Sequence, residues 1–301
     1  MTGYALAAAG AALFSTKAIF IKLAFQDVAN GSLLLAWRMI FALPVFVVVG
    51  ALTLARRRRE GLAPPGLPNV VRAMFTGIIG YYVAAILDFK GLEYISAQME
   101  RLVLFTYPIF VMVLGYAFFS QRLTRTGVLG GLITYSGLAL VFGSGLFAGG
   151  RGVITGTLLV LGAALSFALY QLLAKRNIQV LGAALFTAIS LATSAVASII
   201  HYMVESGGAN FSAPPRFLML AAGTAAIATI IPSFLMNAGM ARIGPQSVAM
   251  ISTLSPVVTI LLAVWILGEP FSWVDAAGSS LVLLGVALYT FGDSKAQKGP
   301  A

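Results

Sequence analysis

Apolar runs of about 20 residues alternate along the whole chain with short segments rich in polar residues, glycine or proline. A helix that rises 1.5 Å per residue needs about 20 residues to cross the hydrocarbon core of a bilayer. The pattern therefore predicts an all-α polytopic membrane protein with ten transmembrane helices. The predicted helices cover residues 1–25, 30–55, 70–89, 96–120, 126–146, 154–174, 182–204, 217–239, 245–267 and 273–291.

A doubled stretch organises these helices, because residues 91–137 recur without a gap as residues 239–285. One offset of 148 positions pairs Pro108 with Pro256, and it also pairs several identical glycines. Each half holds five predicted helices, an odd number, so the two halves must cross the membrane in opposite directions. We therefore expect two inverted five-helix repeats around a central cavity. The expected units are residues 1–148, residues 149–292 and a cytoplasmic tail at 293–301.

Composition agrees with a membrane location and excludes several kinds of chemistry. The mean hydropathy is +0.96, and 9% of the residues are charged, against about 25% in soluble domains. The chain has no cysteine and a single histidine, His201, so disulfides, thiolate sites and histidine metal clusters are excluded. We expect no metal, no cofactor and no catalytic residue.

The formal charge of +10 follows the loops between helices. Lysine and arginine cluster on alternate loops, the largest group being Arg56 to Arg59, which indicates the positive-inside rule and not a nucleic-acid partner. We expect both termini in the cytoplasm and the chain in the plasma membrane, the inner membrane of a bacterium. The arginine run is interpreted as a topology anchor, with binding of anionic lipid as the alternative.

Several features together resemble a known family: Lys22 at the end of helix 1, Arg38 in helix 2, prolines in helices 4 and 9, and the segment LGEPFSWVDAAGSSLVLLGVAL. They are similar to the ten-helix permeases of the drug/metabolite transporter superfamily, EamA type. The resemblance implies a transporter of small organic metabolites, most often an exporter, that works by alternating access. Within the superfamily the chain is most similar to the YddG group of aromatic amino-acid exporters. It departs from the pattern at Gln121, where the second copy has Glu269, and at LFSTK in helix 1.

Four charged residues stand in apolar surroundings, where each costs about 2.5 to 3.5 kcal/mol unless it has a partner or a wet cavity. They are Lys17, Arg38, Glu100 and Arg101. Helix rise puts Lys17, Arg38 and Glu100 in one layer, roughly 6 to 12 Å deep. Glu100 and Arg101 point about 100° apart on one helix, so Glu100 is expected to contact Lys17 or Arg38.

Two interpretations of these charges remain open. In the functional one, Lys17 or Arg101 receives a substrate carboxylate, and Glu100 meets an amino group or carries a coupling proton. In the structural one, a static ion pair ties helices 1, 2 and 4 together. Pro108 and Pro256 are predicted hinges, because each proline removes a backbone hydrogen bond in mid-membrane. The candidate substrate-binding residues are Lys17, Tyr81, Tyr82, Gln98, Glu100, Arg101, Tyr170, Asn237 and Gln246.

A cavity lined by tyrosines and a few polar groups suits an amphipathic zwitterion. The leading prediction is a permease that exports amino acids with aromatic or large apolar side chains. The alternative is antiport of sugar phosphates or nucleotide sugars, and a remote alternative is an intramembrane lipid-modifying enzyme. The expected partners are a small-molecule substrate and membrane lipids, with a proton as the candidate coupling ion; a monomer is sufficient for this architecture.

Overall fold

The computed structural model describes residues 2–119, 125–149, 151–208, 210–236 and 255–296, together with the single residues 239 and 242. The described part of the chain is helical and contains no strand. Its α-helices are α1 (Thr2–Ser15), α2 (Lys17–Phe25), α3 (Gly31–Arg59), α4 (Leu67–Gly77), α5 (Ala84–Gly91), α6 (Ala97–Leu104), α7 (Tyr107–Phe119), α8 (Arg125–Gly149), α9 (Arg151–Leu181), α10 (Ala183–Glu205), α11 (Pro215–Ala225), α12 (Ser255–Leu267) and α13 (Trp273–Ala296).

Seven helical stretches of the described residues are long and apolar enough to cross a membrane. They are Gly3–Phe25, Gly31–Arg59, Leu67–Gly91, Ala97–Phe118, Gly152–Ala174, Ala183–Glu205 and Pro215–Met236. Two shorter apolar helices, Ser255–Leu267 and Trp273–Leu288, follow them. The protein is therefore polytopic and all-α, as predicted, whereas the count of ten transmembrane helices stays a prediction.

Three predicted boundaries are wrong because helices extend into basic segments. Helix α3 continues through Arg56 to Arg59, and α13 continues to Ala296, so the predicted tail at 293–301 begins as helix. Helix α9 begins at Arg151, three residues before the predicted start at residue 154, and continues past Lys175 and Arg176 to Leu181. Arginine and lysine are good helix formers, and cations near a helix C-terminus interact favourably with its dipole.

The predicted helix over residues 96–120 is interrupted, since α6 ends at Leu104 and α7 begins at Tyr107. Pro108 has no backbone N–H and its ring clashes with the carbonyl group of Leu104, four residues earlier. The Thr106 N–H donates to the carbonyl oxygen of Val103 at 3.1 Å, which closes a tighter turn, and the Thr106 hydroxyl donates to the same oxygen at 2.7 Å. In the second copy Pro256 is the second residue of α12, and the residues before Ser255 lie outside the described part.

Two π-helical turns, Ile78–Val83 and Ala226–Ile230, widen the third predicted helix of each copy. Their first residues are 148 positions apart, the same offset that relates the repeated sequences. A π-helical turn leaves a backbone carbonyl without its usual helical partner. In the first turn the Ser166 hydroxyl, on α9, donates to the carbonyl oxygen of Ile79 at 2.7 Å.

Helices α8 and α13, which occupy equivalent places in the two copies, pack against each other through glycines. A Cβ atom built on Gly137 would lie 2.6 Å from the carbonyl oxygen of Gly278, and one built on Gly285 would lie 2.5 Å from that of Gly130. The residue numbers rise on one helix as they fall on the other, so the two helices are antiparallel. Small residues allow such close helix contacts in membranes, where helices gain little from burying apolar surface.

Candidate functional site

Three charged side chains meet where α2, α5 and α6 come together. The Lys17 ammonium donates to Asp88 Oδ2 at 2.5 Å and to Glu100 Oε1 at 3.1 Å. Glu100 is completely buried and Asp88 is 4% exposed. Glu100 was expected to contact Lys17 or Arg38, and the structure shows the contact with Lys17. The contact with Asp88 was missed.

Local structure sets the positions of these residues. Helix α1 ends at Ser15 because the Thr16 hydroxyl and the Thr16 N–H both donate to the carbonyl oxygen of Leu13, so Lys17 becomes the first residue of α2. Ser96 caps α6 by accepting from the N–H of Met99 at 3.1 Å, which places Glu100 one turn inside that helix. Capping by a serine hydroxyl is the usual way to satisfy free N–H groups at a helix start.

Asp88 could have been found from its spacing. It shares one face of the third predicted helix with Gly77, Tyr81 and Ala84, at intervals of 4, 3 and 4 residues. It lies three residues before Gly91, the last residue of α5. Among the described residues Asp88 Oδ1 and Glu100 Oε2 have no hydrogen-bond partner.

Two arginines adjoin this cluster. Arg101, half-buried on α6, is close enough to Lys17 and Glu100 to interact with both electrostatically, and its Nε has no partner among the described residues. The Arg38 guanidinium lies 4.7 Å from the centre of the Phe89 ring, and the residue is 6% exposed. A cation–π contact with Phe89 therefore holds the Arg38 side chain among the helices.

An aromatic cluster lies between α9 and the first π-helical turn. The hydroxyl groups of Tyr81 and Tyr170 are 2.9 Å apart, and the Tyr170 ring stacks on Phe167 with 5.6 Å between ring centres. Tyr107, which interacts electrostatically with Arg101, lies edge-on to Phe167 at 5.1 Å. The structure thus brings together the predicted residues Tyr81 and Tyr170, and Tyr107 connects their cluster to Arg101.

Tyr82 and Gln98 do not join these clusters. The Tyr82 hydroxyl is 2.6 Å from His201 Nδ1, on the side of its helix that faces α10. The Gln98 side-chain amide donates to the carbonyl oxygen of Pro270 at 3.2 Å, in the connection that follows α12. Asn237 and Gln246 lie outside the described residues. Substrate binding by any of the predicted residues stays a prediction.

Glu269, from the LGEP segment, caps α6 from a distant part of the chain. Its Oε1 accepts from the N–H of Ala97 at 2.8 Å, and its Oε2 accepts from the N–H of Gln98 at 3.1 Å. A carboxylate at a helix N-terminus satisfies free N–H groups and interacts favourably with the helix dipole. The helix that it caps carries Glu100 and Arg101.

Two salt bridges lie at the same end of the molecule as the Glu269 contacts. Each joins a residue of the first half of the chain, before Gly149, to a residue of the second half. Lys90 donates to Glu205 at 2.7 Å, and Arg216 donates to Asp27 at 2.8 Å. This end is formed by the connections that follow α2, α5, α10 and α12; we call it the bridged end. The end that contains Arg56 to Arg59 is called the arginine end. There the Arg57 guanidinium donates to the carbonyl oxygen of Leu181 at 3.2 Å.

A cavity of about 200 Å³ lies toward the arginine end, between α3, α10 and the helical residues 231–236. Its walls are mainly apolar, and none of the predicted substrate-binding residues lines it. In the described residues no group of three or more acidic or histidine side chains is arranged to hold a metal ion.

Comparison with known proteins decides the family. A model of the EamA-like transporter family matches residues 1–143 and again residues 154–291. The chain belongs to the EamA-like transporter family. It is therefore a multi-pass membrane permease, and its apolar helices agree with that class.

Relatives of this EamA-like chain are also transporters by name. The "Uncharacterized transporter YcbK" of Bacillus subtilis is 27% identical over 282 residues, covering 89% of this chain and 86% of YcbK. The "Uncharacterized transporter YyaM" of the same species is 26% identical, covering 83% and 81% of the two chains. The "Uncharacterized transporter sll1319" of Synechocystis is 24% identical, covering 87% and 80%.

A solved structure, described only as "Crystal structure of protein", has a TM-score of 0.62 to this chain at 20% identity. The match covers 96% of this chain and 97% of the other. At that identity it shows the fold alone. The substrate, the similarity to the YddG group and the orientation of the termini stay predictions.

Proposed function

We propose that this EamA-like permease exports amino acids with aromatic or large apolar side chains by alternating access. The observation that carries the proposal is the cluster of Lys17, Asp88 and Glu100 beside Arg101 and the tyrosines. Buried charges in a membrane protein are costly, and they usually mark a substrate or ion pathway. Here the charged groups adjoin aromatic rings, which is the combination that an amphipathic zwitterion requires.

Arg101 is the residue that we assign to the substrate carboxylate. Lys17 donates to two carboxylates, at 2.5 and 3.1 Å, so its charge is already compensated. The Nε of Arg101 has no hydrogen-bond partner among the described residues, and a guanidinium can bind a carboxylate through two parallel hydrogen bonds. This contrast supports Arg101 over Lys17, the two candidates that the sequence left open.

Asp88 and Glu100 are assigned to proton coupling. Two carboxylates that share one ammonium are held close together inside the membrane, and one proton relieves their mutual repulsion. Uptake of that proton would loosen the contact with Lys17, which joins α2 to α5 and α6. Release of the proton would restore the contact. A proton gradient can in this way favour one arrangement of the helices over the other.

The contacts at the bridged end support alternating access. Lys90 with Glu205, Arg216 with Asp27, and Glu269 with the start of α6 all join the two halves at one end. A permease of this kind must break such contacts when it opens toward that side, and it must break contacts such as that of Arg57 with Leu181 when it opens at the arginine end. The inverted repeat is part of this proposal, and the antiparallel packing of α8 and α13 supports it.

Counterflow into liposomes with labelled leucine, tryptophan and a sugar phosphate tests the substrate. We expect leucine and tryptophan to exchange and the sugar phosphate not to compete. A transporter of anions requires several uncompensated basic groups, whereas Lys17 is neutralised here. Exchange of the sugar phosphate alone would favour the alternative antiporter.

Substitutions test the assigned roles. Arg101→Ala is expected to raise the concentration for half-maximal exchange about tenfold, because a charged hydrogen-bonded contact is lost. Glu100→Gln is expected to abolish the pH dependence of exchange. Glu93→Gln is the matched control, because Glu93 is an exposed carboxylate seven residues earlier that accepts from the N–H of Gly31. Normal exchange and normal pH dependence in both test variants would refute the assignment.

A further inference from the structure

We propose that the apolar cavity near the arginine end binds one acyl chain of an anionic phospholipid whose phosphate group contacts Arg57. The site is separate from the proposed substrate path. Its lining residues include Phe46 and Val49 of α3, Ala184, Thr187 and Ala188 of α10, and Phe234. The occupant is inferred from the shape and polarity of the cavity and from the charge at its end.

The cavity suits a hydrocarbon chain. Phe46 and Ala188 are nearly fully buried, whereas Ala184 and Phe234 are exposed, so the cavity opens between helices at the surface of the protein. Its volume is about 200 Å³. An apolar cavity of about 150 Å³ is large enough to take up benzene, and water does not fill such a cavity because it finds no polar partners there. Part of an acyl chain therefore fits better than water.

Helix α3 aligns the cavity with a cationic group. Phe46, Val49, Thr53 and Arg57 follow each other at intervals of 3, 4 and 4 residues, so they lie on one face of the helix. Eight residues of helix separate Val49 from Arg57, a rise of about 12 Å. A lipid whose chain enters between α3 and α10 thus has its polar head near Arg57.

The arginines supply the charge complement of a phosphate. The Arg57 Nη1 donates to the carbonyl oxygen of Leu181, two residues before Ala183 in the cavity wall, while its buried Nε has no partner among the described residues. Arg58 and Arg59 are exposed, and no described acidic side chain pairs with them. Each arginine near an anionic headgroup adds attraction, and the planar guanidinium matches the geometry of a phosphate.

Native mass spectrometry of the full chain in detergent tests the proposal. Phosphatidylglycerol is titrated against phosphatidylcholine with the same acyl chains. We expect phosphatidylglycerol to bind at least about fivefold tighter, and Arg57→Gln to remove that preference. Arg72→Gln, which removes an exposed arginine on α4, is the control for charge alone.

A second pair of variants tests the cavity without changing charge. Ala184→Phe fills the cavity mouth and is expected to lower phosphatidylglycerol binding, whereas Val196→Phe, on an exposed part of the same helix, leaves it unchanged. This pair keeps the proposal testable if Arg57→Gln fails to fold through loss of its contact with Leu181.

Four results would overturn the proposal. Equal binding of the two lipids would indicate non-specific association, and equal losses in Arg57→Gln and Arg72→Gln would indicate bulk charge. Competition by glycerol phosphate, which has no acyl chain, would indicate a phosphate site. Displacement of the lipid by leucine or tryptophan would assign the cavity to the transport path.

Discussion

Replacing Glu269 by glutamine is expected to weaken the bridged end and shift the permease toward the state that is open there. The Glu269 carboxylate accepts two backbone hydrogen bonds, at 2.8 and 3.1 Å, from the first turn of α6. Glutamine keeps one acceptor oxygen but loses the second acceptor and the negative charge. The side chain is half-buried, so solvent screens part of this interaction.

The magnitude follows from these contacts. A hydrogen bond to a charged acceptor contributes about 1.5 to 3 kcal/mol, and a charge at a helix N-terminus about 0.3 to 1 kcal/mol. Losing one such bond and the charge, with screening, amounts to about 2 kcal/mol. Because each 1.4 kcal/mol is a factor of ten, the equilibrium between the closed and open states should shift by roughly 30-fold.

The absence of native cysteines makes the assay direct. Spin labels on cysteines introduced at Tyr94 and Phe271, both exposed and both at the bridged end, report the distance between the two halves by pulsed electron resonance. In Glu269→Gln we expect a second, longer distance to become the main population. In the labelled protein that keeps Glu269, the shorter distance should remain the main population.

Glu93→Gln is the matched control. Glu93 also caps a helix at this end, by accepting from the N–H of Gly31 at 2.6 Å, but the two residues belong to the same half of the chain. Its substitution should cost similar stability without changing the distance between the labels. An unchanged distribution in Glu269→Gln, or an equal change in both variants, would show that Glu269 does not hold the two halves together.

Two further predictions concern a close glycine contact and a pair of hydrogen-bonded tyrosines. Gly137→Ala should lower the free energy of unfolding by about 1 to 3 kcal/mol, because the new Cβ would lie 2.6 Å from the carbonyl oxygen of Gly278. Gly131→Ala is the control: the atom nearest to its Cβ would be 3.6 Å away, so chemical unfolding should show little effect. Tyr81→Phe should lower substrate affinity and cost about 1 kcal/mol of stability, since it leaves the buried Tyr170 hydroxyl without its hydrogen-bond partner. Tyr82→Phe, the control, should change stability but not transport. Equal transport rates in the two variants would contradict the assigned site.

Much of the charged layer could be predicted from positions along the helices. Lys17 and Glu100 were placed at similar depth by helix rise alone, and they meet at 3.1 Å. Asp88 was missed because distance from a helix end does not give the burial of a side chain, which neighbouring helices decide. Tyr82 was grouped with Tyr81, yet their side chains point to α10 and α9, since adjacent residues on a helix diverge by about 100°.

Two features that depend on distant parts of the chain left no signal in the sequence. Nothing in LGEP indicates that Glu269 caps a helix that begins at Ala97, more than 170 positions earlier, because the contact depends on how α12 packs beside α6. The π-helical turn that begins at Ile78 follows Gly77 and contains Gly80, but a glycine inside an apolar helix does not by itself predict a π-helical turn. Its extra residue is accommodated by neighbouring helices, and the Ser166 hydroxyl satisfies one of the carbonyls.

The amino-acid sequence by itself determined the membrane class, the doubled organisation and the family resemblance. The length of an apolar run and the charges at its ends are properties of each helix alone. The offset between repeated residues likewise does not depend on which helices are in contact. Only the tertiary structure decided which charges are compensated, that Arg101 Nε has no partner among the residues that the structure describes, and that Glu269 joins the two halves. Those properties depend on distances of a few ångströms between helices far apart in the chain, and hydrogen bonds lose their strength within such distances.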